Sequence, residues 1–335
     1  MRRLTPARLA AAGLLLLAVV ALILWIAPSD SYIFLPDRAH PVAPLVSVPG
    51  GKPPRDGGGI YFVDVFVRKA SWLERLFPGL REGATIVPSS VVRPPGVSEK
   101  ARRTEDLRAM SRSQEVAAAV ALRTLGYKVA ARPTGVLVQD VARDAPAAGK
   151  LQPTDVIVSV DGRPVRTPAE LRAILGSHPV GTTFRIGVRR GGSSTEVAVR
   201  TVADPQRPGH PILGIFVSQA ATVRLPLNVK IDAGDVGGPS AGLAFALDIL
   251  EELGRDVDHG QRIAATGEMG LDGSVEPIGG IEQKTIGVRQ AGIHVFLVPA
   301  GENAADARRY AHGLRIVPVQ NLQQALRALA TLPTG

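Results

Sequence analysis

Two short stretches near the C-terminal end hold residue types from which a hydrolase can be built. The first is GDVGGPSAG, Gly234 to Gly242, which puts one serine, Ser240, on a glycine-rich turn ahead of an apolar helical pattern. The second is TGEMGLDGSVEPIGGIEQK, Thr266 to Lys284, which ends on a lysine near the start of another helix. A serine hydroxyl is a weak nucleophile until a neighbour takes its proton. A free lysine, with a pKa of about 10.4, is protonated at neutral pH and cannot take it. Burial among apolar side chains penalises the ammonium and lowers that value. Ile281, Ile286 and the apolar helix after Ser240 offer such surroundings. Neutral Lys284 would then accept the Ser240 proton and pass it to a leaving amine, and water would hydrolyse the acyl-enzyme. The oxyanion would be held by the N–H of Ser240 and that of Gly237 or Gly238, because Pro239 has none to offer. On the turn alone, Ser240 reads equally well as a helix N-cap.

Other chemistries fit less well. GPSAG matches the G-x-S-x-G elbow of α/β-hydrolases, which needs the serine directly after an apolar strand and a histidine downstream. Here Asp232 to Pro239 intervene, and His294 and His312 have no distinctive context. A phosphate-binding loop lacks its G-K-[ST], and no H-E-x-x-H occurs. His40, His178, His210 and His259 are isolated and are assigned no role. No metal and no cofactor are expected.

The elements that must position this pair belong to a chain of 335 residues, long enough for two domains. There is no cysteine, so disulfides and thiolate zinc sites are excluded. The net charge of +9 comes from scattered arginines, with no aromatic-interleaved stripe to suit nucleic acid. Weak attraction to anionic headgroups fits it better. Residues 1–8 are basic, and Leu9 to Ala27 is an uncharged run long enough to span a bilayer. No small-x-small cleavage site ends it, which favours an anchor over a signal peptide. Arg2, Arg3 and Arg8 precede the run and no further basic residue comes before Arg38. The expected orientation is N-terminus cytoplasmic and the rest outside, a single-pass cell-membrane protein with an extracytoplasmic catalytic domain.

Residues 28–56 are rich in proline and glycine and read as an extended stalk. Gly59 to Arg68 reads as a strand, SWLERLF as a short helix, Pro94-Pro95 as a loop, and Ser111 to Leu125 as a helix capped by Ser113. The expectation is that this N-terminal part, 57–125, packs on the domain carrying Ser240. Residues 135–200 change character: strand GVLVQDV, a helical turn, a strand with an Asp161-Gly162 hairpin, a helix starting at Thr167 with Glu170 as a capping box, and a hairpin turning at Gly191-Gly192. After a Pro-Gly linker, Ile212 to Ser218 and Val223 to Ile231 read as strands.

The stretch APAAGKLQPTDVIVSVDGRPV resembles a bacterial PDZ domain, assigned to 126–203, with Thr154 where that family has the glycine of its Gly-Asp pair. The resemblance implies a β-barrel-like domain with two helices that adds an extended chain end as a strand. It implies a groove between a strand in 125–140 and the helix Pro168 to Leu175, with Leu171 and Leu175 in its wall and Leu125-Gly126-Tyr127 as carboxylate-binding loop. Gly126 as a plain helix C-cap is the competing reading.

GDVGGPSAG, TGEM and VEPIGGIEQKTIGVRQAG, in that order, resemble the proteolytic domain of the Lon family over about residues 212 to 325. The resemblance implies Ser240 as nucleophile, Lys284 as base and Thr266 as the residue that positions the lysine. Gly237 stands where many Lon enzymes carry an acidic residue. No Walker motif occurs in the chain. Anchor, PDZ domain and Lon-type domain (204–335) together resemble the membrane-anchored PDZ–Lon proteins of Gram-positive bacteria. The fold class expected is α+β: a transmembrane helix, a PDZ domain and a mixed α/β protease domain. The expected function is an ATP-independent serine endopeptidase acting on proteins or peptides, a ring of six copies by resemblance. The alternative is a PDZ-based membrane scaffold whose protease domain is inactive.

Overall fold

Continuous apolar runs in the C-terminal third build a parallel sheet covered on both faces. The computed structural model describes residues 6–52, 57–92, 98–142, 144–205 and 207–332. Strand Val295–Pro299 is buried at every position, as the middle of such a sheet requires. The order is His40–Pro41, Gly59–Phe62, Arg262–Ala265, Val295–Pro299, Arg315–Val319, with only the first antiparallel. Alternate residues face opposite ways. Ile263, Ala265 and Leu297 join Phe245, Leu247 and Leu326 in one core, whereas Ala264, Phe296 and Val298 join Ile281, Val288 and Ala304 in another. Helix Gly242–Glu252 is buried over 242–250 because a long helix, Glu99–Thr124, covers its outer side.

The N-terminal part is thus woven into the core of the C-terminal domain. The stretch expected as one strand, 59–68, breaks at Val63 and Asp64. Gly59–Phe62 enters the parallel sheet, and Val65–Ser71 enters a second, three-stranded one. The centre of that second sheet is Pro28–Pro36, inside the expected stalk, with Tyr32, Ile33 and Leu35 buried. Its alternating apolar residues find partners on both sides, so it does not stand free as a stalk. The helix expected from Ser111 begins at Glu99, held by Arg102 pairing with Glu99 and Asp106 one turn away on either side. Ser113 is mid-helix and buried rather than a cap. The expected strand 223–231 is split: Val223 and Arg224 end strand Ile215–Arg224, and Lys230–Ile231 form a separate short one, Pro226 between them having no N–H for a ladder.

The first helix, Pro6–Ile26, is 21 residues long, and the described side chains from Ala10 to Trp25 are almost all exposed. Among the described residues no helix is long and apolar enough to cross a membrane, so the span expected over Leu9 to Ala27 is not shown. The start of the basic tail (1–5), Pro94-Pro95 and the stretch 53–56 lie outside the described residues.

The intervening domain is a sheet in the order Ser193–Arg200, Thr183–Arg190, Val156–Val160, Ala130–Val141, Ile215–Arg224, with helix Pro168–Gly176 against it. Both hairpin turns take left-handed backbone at the expected pairs, Asp161-Gly162 and Gly191-Gly192. The first of the two expected helices is a run of turns over 144–150. Thr167 caps the remaining helix by accepting the Glu170 N–H, but the Glu170 carboxylate accepts from Arg166 rather than from Thr167, so the box is half closed. Strand Ile215–Arg224 pairs along its whole length with Ala130–Val141. It is the last strand of this sheet and the lead into the C-terminal domain, so the two domains share it. Thr154 adopts φ 75, a costly conformation for a β-branched residue. Its hydroxyl donates to Glu105 of the long helix at 2.5 Å. The departure from glycine therefore coincides with a tie between the domains.

Candidate active site

Ser240 lies just ahead of helix Gly242–Glu252, whose N-cap is Ala241 with no side-chain cap bond. The N-cap reading of Ser240 is thereby set aside. Its carbonyl accepts two bonds, from the Gly267 N–H at 2.8 Å and from the Thr266 hydroxyl at 3.1 Å. The first needs a glycine: residue 267 has φ +154, and a Cβ there would come 2.5 Å from the Val275 side chain.

Lys284 sits in the first turn of helix Ile281–Gln290 and is 3% exposed. Its Nζ lies 2.6 Å from Ser240 Oγ and 3.2 Å from Thr266 Oγ1. Burial pushes its pKa down from 10.5 to about 8, against the opposing pull of the Asp64 carboxylate. Ile281 and Ile286 are buried with it. The structure thus brings Ser240, Thr266 and Lys284 into one hydrogen-bonded group in which burial holds the amine's pKa well below that of a free lysine. Asp64, invisible to the motif reading, stands in the break between two strands, and burial followed by the neighbouring Asp37 raises its own pKa. The ring of His40 lies 3.7 Å from Asp37 and 3.9 Å from Asp64.

The glycine loop is held by the long helix Glu99–Thr124. The Gly238 N–H donates to the Asp106 carbonyl at 2.8 Å, and the Ser113 hydroxyl donates to the Pro239 carbonyl at 2.7 Å. Gly238 is therefore committed and cannot serve as the second oxyanion donor in this state. The Gly237 N–H makes no hydrogen bond among the described residues. A Cβ on Gly237 would come 2.7 Å from that of Asp106, so the approach of the long helix demands glycine there. Sequence reasoning missed these roles of Asp106 and Ser113. They lie more than a hundred positions from the loop, and no spacing connects them.

The expected peptide groove fares differently. Gly126 N–H donates to Arg123 O and Tyr127 N–H to Leu122 O, with Gly126 at φ +87. That is a Schellman C-cap of the long helix. Leu125-Gly126-Tyr127 is not a carboxylate-binding loop here, because the N–H groups of all three are already engaged. Leu171 and Leu175 are buried in the core of their domain. A cavity of about 1890 Å³ opens between the two domains, lined by Gln139, Ser218, Ser113, Pro239 and Met269 among others. It joins the strand shared by the domains to the loop that carries Ser240.

Two groups among the described residues, Asp37/His40/Asp64 and Glu251/Asp256/Asp258, hold ligand-type atoms within 4.8 Å of one another. The second closes a turn through bonds to the N–H groups of residues 257 to 260. His294 and His312 are exposed and stand outside the serine–lysine group.

Residues 120–201 match the PDZ domain family, and residues 220–331 match the Lon protease (S16) C-terminal proteolytic domain family. The chain carries a PDZ domain and a Lon-type proteolytic domain. The Lon protease of Chloroflexus aggregans is 37% identical over 116 residues, 32% of this chain and 14% of that protein. The human mitochondrial Lon protease homologue is 40% identical over 86 residues, 25% of this chain and 9% of that protein. The magnetosome formation protease MamE of Magnetospirillum gryphiswaldense is 32% identical over 188 residues, 56% of this chain and 22% of that protein. The chain thus spans under a quarter of the length of each of these relatives. A crystal structure of the PDZ domain of a Listeria monocytogenes SdrC-like protein aligns at 30% identity with TM-score 0.24, covering 25% of this chain and 87% of that one.

Proposed function

We propose that this protein is a serine endopeptidase that works through a Ser240–Lys284 dyad, without ATP, on polypeptides that reach the cavity between its PDZ and Lon-type domains. The observation that carries this reading is the 2.6 Å separation of Lys284 Nζ and Ser240 Oγ inside a buried pocket that depresses the lysine pKa to about 8. Neutral Lys284 takes the proton as Ser240 Oγ attacks the scissile carbonyl, then hands it to the departing amine. Thr266 holds the amine on line. The Ser240 N–H and the Gly237 N–H, at the start of helix Gly242–Glu252, face the developing oxyanion. Water then attacks the acyl-enzyme, with Lys284 again as base.

The helix Pro6–Ile26 is read as the membrane anchor, N-terminus cytoplasmic and catalytic domain outside, on the support of its apolar, exposed residues and the arginines before it. A compartment without ATP suits a protease that takes substrates already unfolded or flexible. Assembly into a ring of six copies is part of the proposal through the Lon resemblance.

The test is cleavage of casein by the full chain in detergent without ATP, beside Ser240→Ala and Lys284→Ala. Cleavage by the parent that both variants lose supports the dyad. Cleavage that survives Lys284→Ala overturns it, and no cleavage of any unfolded protein by the parent favours a PDZ scaffold with an inactive protease domain.

A further inference from the structure

A band of large apolar side chains lies exposed where the first helix meets the body. Strand Val65–Ser71 runs into a five-residue helix, Trp72–Leu76, closed by a capping box between Ser71 and Glu74, and then into a 3-10 turn, Pro78–Leu80. Trp72, Leu76, Phe77 and Leu80 are 41%, 57%, 57% and 54% exposed. Clustering of this kind marks an interaction surface, since single exposed apolar residues are ordinary but contiguous ones are not. The helix Trp72–Leu76 packs against the end of helix Pro6–Ile26, where Trp25 and Ile26 are also exposed.

The join between the two is short and tied. Ala27 is the only residue between the first helix and strand Pro28–Pro36. The Trp72 N–H donates to the Ala27 carbonyl at 3.1 Å. The Arg81 guanidinium lies over the Trp25 ring at 5.7 Å and that of Arg75 over the Trp72 ring at 5.1 Å. Within 72–80 the one acid, Glu74, is buried and spent on Arg68 and Arg81, and Glu82, at the edge of the band, pairs with Arg289. What faces outward is therefore aromatic and aliphatic surface fringed by Arg68, Lys69, Arg75 and Arg81. Tryptophans beside arginines suit the boundary of a bilayer, where the ring has apolar and polar surroundings at once and the cation meets lipid phosphate.

We infer that the face formed by Trp72, Leu76, Phe77 and Leu80 rests in the interfacial layer of the same membrane that helix Pro6–Ile26 enters, so that the protease body is seated on the lipid surface. This rests on the reading of that helix as an anchor. The seat is coupled to the active centre. Strand Pro28–Pro36 packs on the lysine helix, and the Gln283 amide, next to Lys284, donates to the Gly83 carbonyl and the Thr85 hydroxyl of the same small sheet region. The dyad is thereby held at a fixed height, and its substrates are polypeptide segments lying at or emerging from the bilayer surface.

The chain has two tryptophans, Trp25 and Trp72, so Trp25→Phe and Trp72→Phe each leave one reporter. Each full-length variant is reconstituted in phosphatidylcholine–phosphatidylglycerol vesicles, with and without brominated acyl chains, and its emission is read. The expected result is loss of Trp72 emission that is strongest when bromine lies near the headgroup end, together with loss of Trp25 emission. Quenching of Trp25 with Trp72 untouched overturns the seated face and leaves the anchor standing. Quenching of neither overturns both. A concentration-dependent blue shift of Trp72 without quenching means that a second copy covers the face, and overturns the inference as well.

Discussion

The catalytic face and the PDZ helix face were both marked by the same kind of reasoning, short motifs with known roles, and the fold treats them in opposite ways. Ser240, Thr266 and Lys284, spread over 45 positions, converge to hydrogen-bond distance. Leu125, Gly126, Tyr127, Leu171 and Leu175 do not form a groove: the first three end a helix and the last two fill a core. The difference lies in what each function demands. Acyl transfer needs particular functional groups in contact, and few residue types supply them. Strand addition uses backbone edges, which every residue has, so its position is set by which edge the fold leaves open.

Lys284→Met breaks the catalytic side of this contrast most severely. Casein cleavage falls about 10³-fold or more, measured by release of fluorescent fragments. The same variant is more stable than the parent. The folded-state lysine, with its pKa depressed to about 8 from 10.5, binds fewer protons than the unfolded one, so the cost of burying it is fully present below about pH 8. That cost, about 3 kcal/mol, fades as pH rises towards 10.5. Denaturant melts at pH 7 and pH 10 read the gain and its disappearance. For the parent enzyme, kcat/KM climbs with pH and levels off above about 8 as the amine loses its proton.

Leu175→Ala probes the other side. A core leucine costs about 2–5 kcal/mol when truncated, so the intervening domain unfolds earlier in thermal melts. Loss of peptide binding with unchanged stability would restore the groove reading. Thr266→Val removes the hydroxyl that bonds Ser240 O and Lys284 Nζ, and kcat drops about 10-fold, as expected for one hydrogen bond of about 1.4 kcal/mol, with Thr266→Ser restoring most of it. Gly126→Ala is the mildest: forcing φ +87 on alanine costs about 1 kcal/mol in a melt and leaves casein cleavage unchanged.

Much of the fold was readable in pieces. The hairpin turns at Asp161-Gly162 and Gly191-Gly192 and the helix after Thr167 follow from local chemistry, and all appear. The helix over 99–124 was half seen, because its first turns are polar and carry no apolar face; their ion pairs and their packing on the glycine loop give them a reason to be helical. The strand Pro28–Pro36 was hidden by the prolines at its ends and around it. Its partners lie about 30 to 60 residues on, and no local signal announces a pairing at that range.

The sequence by itself determined the chemistry on offer: one serine on a glycine-rich turn, one lysine near the start of a helix, and a threonine between them. Only the tertiary structure decided that the amine would be buried enough for its pKa to fall, because burial depends on what distant segments cover. It also decided which backbone donor stays free, through Asp106 taking the Gly238 N–H while that of Gly237 makes no bond among the described residues. Local propensity fixes which groups stand on a turn. The partners of those groups, and the water they lose, come from chain segments that meet only when the whole fold closes.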